Sequence, residues 1–100
     1  MYISNMHNQP LKVTWDPAKA ASNFRKHKIR FSDAESLLFD PMALTVADES
    51  AEGEQRLVSI GADALCRILV LVYAYRGEEI RLISARRATR GERKAYEEGI

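Results

Sequence analysis

One cysteine and two histidines in 100 residues rule out much chemistry at once. Cys66 has no internal partner for a disulfide, which suits a reducing compartment. Its plainer role is that of a small, semi-apolar residue at the start of a strand. His7 and His27 would need carboxylate help to hold a transition metal, and no paired Cys or Cys–His spacing supplies a zinc site. The expectation is no metal. There is neither a Walker-type phosphate loop nor a glycine-rich dinucleotide loop, so no cofactor is expected either. No local Ser–His–Asp signature is present, though such triads need not be local. The longest apolar run, residues 68–75, is too short to cross a bilayer. The first seven residues lack the basic-then-apolar order of a signal peptide. A cytoplasmic location with no membrane partner is therefore expected. There are no repeats and no low-complexity segments.

The residues that are present, 46% apolar and 29% charged, describe a globular chain with room for one core. The net charge of +1 hides a segregated pattern. Residues 12–30 are mainly basic, every charged residue from 33 to 54 is acidic, and Arg81, Arg86, Arg87, Arg90, Arg93 and Lys94 are opposed only by Glu92. If the two basic segments meet, they form a positive patch that attracts a polyanion, while the acidic side faces elsewhere or meets a basic partner. A plain solvated surface explains the same pattern equally well.

Residues 1–10 are polar and aperiodic, and read as a flexible arm before a single domain of residues 11–100. Alternation around Val13 and Trp15 predicts a short strand. Asp16-Pro17 then opens a helix to about Lys28, with Ala21 and Phe24 towards the core. Ser32-Asp33-Ala34-Glu35 has the pattern of a capping box for a second helix, which Asp40-Pro41 ends. A brief strand at Leu44, Thr45 and Val46 and an acidic loop around 48–55 follow. Strands are then expected at 56–62, 66–76 and 79–87, the last two as a hairpin about Gly77. The middle one, apolar on both faces, reads as a central strand. Thr89-Arg90-Gly91-Glu92 is a second capping box, opening a final helix through Tyr96. The predicted fold is α+β: a mainly antiparallel sheet of three to four strands, two N-terminal helices and one C-terminal helix.

Three clusters carry chemistry. Asn23, Lys26 and His27 share one helix face at i, i+3 and i+4. Lys26 can hold a phosphate and His27 can move a proton, or both can simply complement the helix dipole. On the strand 79–87, alternation sends Arg81, Ile83, Ala85 and Arg87 one way and Ser84 and Arg86 the other. Guanidinium groups beside Ser84 suit a backbone phosphate and its transition-state charge; alternatively they pair with Asp33, Glu54 or Glu92. Tyr96 can stack on a base, donate a proton or pack on the sheet.

These segments together resemble a known family. Trp15-Asp16-Pro17-Ala18-Lys19, Asn23 with Lys26-His27, Phe31-Ser32-Asp33-Ala34, Glu54-Gln55-Arg56, Gly61, Ile80 through Ala88, Glu92-Arg93 and Tyr96 resemble BrnT toxins, across about residues 13–98. The resemblance implies a RelE-like ribonuclease fold and RNA cleavage that arrests growth. It further implies an antitoxin, BrnA, whose ribbon-helix-helix domain binds operator DNA for both, in a complex expected to be 2:2. On this reading His27, Arg81 and Arg86 are the catalytic candidates, and Asn23, Lys26, Ser84, Arg87 and Tyr96 the substrate-binding ones. One departure is Lys28, where the family usually carries glycine, and it bears on the turn after the first helix. Two other readings stand beside this one: a non-catalytic module that modulates a ribbon-helix-helix DNA-binding partner, and a structural oligomerisation domain, which leaves the clusters unexplained.

Overall fold

A computed structural model describes residues 2–4, 10–48 and 55–99, with the backbone alone at 2–4, 10 and 11. The chain runs β1 (Tyr2–Ser4), β2 (Pro10–Thr14), α1 (Pro17–His27), α2 (Phe31–Ala34), a 3₁₀ turn (Glu35–Phe39), β3 (Leu44–Asp48), β4 (Arg56–Ala62), β5 (Ile68–Arg76), β6 (Glu79–Arg87) and α3 (Arg90–Glu98). The fold is α+β as expected, but the sheet is larger than expected and mixed. Among the described residues, six strands lie in the order β1-β2-β6-β5-β4-β3, and β2 runs parallel to β6. That pairing joins Lys12–Thr14 to Glu79–Arg81, across most of the chain, and local alternation carries no trace of it. The segment read as an arm contributes β1, antiparallel to β2. Most of the acidic loop, residues 49–54, lies outside the described residues.

β5 is central, flanked by β6 and β4. One sheet face packs Leu69, Leu71 and Tyr73 of β5 with Ile80, Leu82 and Ala85 of β6, under Ile29, Phe31, Ala34 and Leu37. Across the outer strands on this face, Ser59 shares hydrogen bonds with Thr45 (2.7 Å) and Tyr73 (2.9 Å), so its buried hydroxyl is satisfied. Gly61 is close-packed: a Cβ there would sit 3.1 Å from Leu37, Asp40 and Ala43.

Helix ends follow local chemistry. Asp16 caps α1, accepting from the Ala18 amide at 2.8 Å, with Pro17 in the first turn. Thr89 and Glu92 form the predicted capping box of α3. The other predicted box is absent. α2 begins at Phe31 itself, Arg30 is its N-cap, and no side chain caps it. Phe31 is drawn into the core, the helix starts two residues earlier than a Ser32 cap would place it, and it is the Ser36 hydroxyl that bonds the Asp33 carbonyl. α1 is also rotated from expectation. Ala21 is exposed and Phe24 only half-buried, whereas Asn23 is buried. Cys66 lies not on a strand but in the β4–β5 turn, exposed, at φ 62°. Among the described residues, no helix is long and apolar enough to cross a membrane.

Candidate active site

Beyond Arg81, β2 no longer covers the edge of β6. α1 takes its place through one side chain. The Asn23 carboxamide oxygen accepts from the Ala85 amide (3.0 Å), and its nitrogen donates to the carbonyls of Ala85 (2.8 Å) and Ile29 (3.0 Å). Asn23 thus substitutes for a neighbouring strand, satisfying backbone groups that a buried edge would leave orphaned. Its amide is fully engaged there.

This clip brings the two basic segments together. A groove of about 160 Å³ is lined by Lys19, Ser22, Asn23, Lys26 and His27 of α1 and by Ile83 and Ser84 of β6. Lys19 and Ser22 were not singled out from sequence, yet they extend the Asn23–Lys26 face by one helical turn, so the spacing was there to find them. The opposite flank of α1 borders a separate groove of about 410 Å³ with Trp15, Phe24, Arg25 and Arg30. None of the nominated residues lines it.

The β5–β6 register corrects the expected facing of the arginines. Val72 pairs Ser84 while Tyr73 pairs Leu82, so Ile83 is an extra residue, a β-bulge. Alternation breaks there. Ala85 joins Ile80 and Leu82 in the core, and Arg81, Ser84 and Arg86 fall together on the other face, opposite Ala74, Val72 and Val70. Simple alternation had placed Arg81 with Ala85 and Arg87. The bulge instead sets two guanidinium groups on either side of Ser84, at the strand that also borders the groove.

Arg86 is oriented by Glu92, which accepts from both terminal nitrogens at 2.8 and 2.9 Å. The same carboxylate accepts from the Thr89 amide at 2.8 Å. Led by the Arg86 hydrogen bonds, these contacts hold Glu92 down at a pKa of about 2. Of the three partners considered for the arginines, Glu92 is the one that Arg86 uses. Arg87 lies apart, exposed, in a cavity with Cys66, Arg67, Ile68, Arg93 and Glu97. Tyr96 is also apart. Its hydroxyl donates to Asp40 Oδ2 at 2.6 Å, and that hydrogen bond, with burial, raises its pKa. Burial pushes Asp40 upward, but donation by Ala62, Tyr96 and Met42 outweighs it, leaving the carboxyl below its ordinary range. Asp40 was read from sequence only as a helix stop; its tie to Tyr96 spans 56 residues and has no local signal. Among the described residues, no three His, Cys, Asp or Glu side chains cluster in a way that could hold a metal.

Fold and groove define a small α+β domain that gathers cations along one sheet edge. A family model described as the ribonuclease toxin, BrnT, of type II toxin–antitoxin systems matches residues 15–92. Among solved structures, the crystal structure of the Brucella abortus ribonuclease toxin BrnT matches with a TM-score of 0.65 and 26% identity, over 80% of this chain and 99% of that one. Curated protein sequences give no match. The chain belongs to the BrnT family of type II toxins.

Proposed function

We propose that this chain is a metal-independent endoribonuclease of RelE-like type, acting in the cytoplasm, whose activity arrests growth until an antitoxin neutralises it. The observation that carries the reading is the bulge at Ile83, which sets Arg81, Ser84 and Arg86 on one face, with Ser84 also lining the groove that holds Lys26 and His27. RNA brings its own nucleophile. The 2′-oxygen attacks the adjacent phosphorus, the bond to the 5′-oxygen breaks, and a 2′,3′-cyclic phosphate and a 5′-hydroxyl result. The protein has to align the strand, move one proton off the 2′-hydroxyl and one onto the leaving oxygen, and stabilise the added phosphorane charge. Arg81 and Arg86 meet that charge with charge-assisted hydrogen bonds. His27 handles a proton, with Lys26 holding the phosphate and Ser84 contributing a hydroxyl. Asn23 acts through position rather than contact, fixing α1 against β6.

Type II membership supports an antitoxin partner. The reading extends this to a BrnA-like ribbon-helix-helix protein in a 2:2 complex, with operator DNA contacted through the antitoxin. The chain's near-neutral net charge gives it little general affinity for duplex by itself. The test is growth after induction without antitoxin. The native chain should arrest cells, and the Arg81→Ala/Arg86→Ala double variant, still folded, should not. Full toxicity in that variant would remove both arginines from the mechanism.

A further inference from the structure

Edge strands expose unpaired backbone groups, and natural proteins blunt them with lysine, proline, bulges or a covering element. β6 follows this rule, since its edge beyond Arg81 is covered by α1 through Asn23. β3 does not. It is the outermost strand on its side of the sheet, its sequence Leu-Thr-Val-Ala-Asp has neither lysine nor proline, and its middle residues Thr45, Val46 and Ala47 are exposed although they point to alternate faces. It pairs with β4 without a register shift over all five residues. Val46 is 64% exposed, and so are two large apolar residues leading into the strand, Phe39 at 49% and Met42 at 63%. A regular, apolar edge that no described strand pairs is a poor solution for an isolated chain and a good one for a strand-adding partner.

We propose that β3 is the docking edge for the antitoxin, which adds an extended segment with apolar residues at alternate positions and basic residues flanking them. This rests on the antitoxin partnership argued above. Charge selects the occupant. Asp40 precedes β3, the strand itself ends on Asp48, and in the sequence every charged residue from 33 to 54 is acidic. A second copy pairing β3 with β3 would bring two acidic segments together, whereas a basic segment is complementary. The edge lies three strands from β6, about 14 Å at the usual spacing. A segment anchored there leaves the rest of the antitoxin free to cross the sheet face towards Ser84 and Arg86.

The probe is the protein encoded beside this chain's gene, added to the full chain at saturation. Hydrogen exchange at residues 44–48 should slow at least tenfold in the complex. Val46→Lys should weaken the complex at least tenfold, Val46→Thr should largely restore it, and neither should alter RNA cleavage by the isolated chain. Val46 is exposed, so both variants should fold, which circular dichroism checks. Unchanged exchange at 44–48 in the complex, or undiminished binding by Val46→Lys, would overturn the proposal. So would concentration-dependent protection of this strand in the chain alone, which would assign the edge to a second copy. The exchange and binding readouts do not need the chain to cleave RNA, so failure of the ribonuclease reading would be seen separately.

Discussion

Asn23→Ala removes the side chain that hydrogen-bonds α1 to the edge of β6 that β2 leaves open. Three hydrogen bonds go with it, to the Ala85 amide, the Ala85 carbonyl and the Ile29 carbonyl. Asn23 is only 6% exposed, so water cannot simply take over these backbone groups. At about 1 kcal/mol for each lost bond to a buried group, the cost is about 3 kcal/mol. Domains of this size are stable by about 5–15 kcal/mol, so the variant should remain folded at room temperature but with a much reduced margin. The melting temperature should fall by about 15 °C, and the urea midpoint by about 1.5–3 M. Asn23→Asp should not rescue it. It keeps an oxygen for the Ala85 amide but turns an anionic oxygen towards two carbonyls. Thermal and urea unfolding followed by circular dichroism decide the matter. A fall of less than about 5 °C in Asn23→Ala would refute the clip. Such a small fall with lost affinity for RNA would instead return Asn23 to direct substrate contact.

Two further perturbations probe single contacts. Glu92→Gln should lower stability at neutral pH. The Glu92 pKa is depressed to about 2 in the folded chain, so its contribution is present above the ordinary carboxylate range and is lost as the pH falls towards 2; unfolding curves of the native chain and the variant should therefore converge over that window. Lys28 occupies the left-handed region at φ 60°, ψ 27°, and its amide still donates to the Phe24 carbonyl at 2.9 Å. Lys28→Gly should raise stability by about 0.5–1 kcal/mol in urea titration, because a β-carbon is disfavoured there; a loss would mean that the lysine ammonium over the Phe24 ring outweighs backbone strain.

Much of the fold was legible because its signals are local. The Asp16-Pro17 start, the Thr89–Glu92 box and the bounds of β4 and β6 follow from capping chemistry and period-two patterning. The lysine at position 28 did not abolish the turn that glycine favours, since the rest of the helix end holds the same backbone geometry. What escaped is non-local. The parallel β2–β6 pairing enlarges the sheet, and the bulge at Ile83 reverses the facing of every residue after it. That one-residue shift decides which arginines share a face, so periodicity found the residues of the site but not their arrangement. The rotation of α1 is a related case. Hydrophobicity pointed to Ala21 and Phe24, but three backbone hydrogen bonds turned Asn23 inward. Arg30 lies over the half-buried Phe24 ring at 4.5 Å, which gives that aromatic a stable place outside the core.

The most direct test of the central claim is cleavage of RNA by the purified chain in the presence of EDTA, with the ends of the fragments identified. The account predicts discrete fragments bearing 2′,3′-cyclic phosphate and 5′-hydroxyl ends, with a rate that falls by at least a hundredfold in the Arg81→Ala/Arg86→Ala double variant, on the scale expected when transition-state charge loses its hydrogen-bond donors. Intact RNA, cleavage only when divalent metal is restored, or equal rates with and without the two arginines would contradict it.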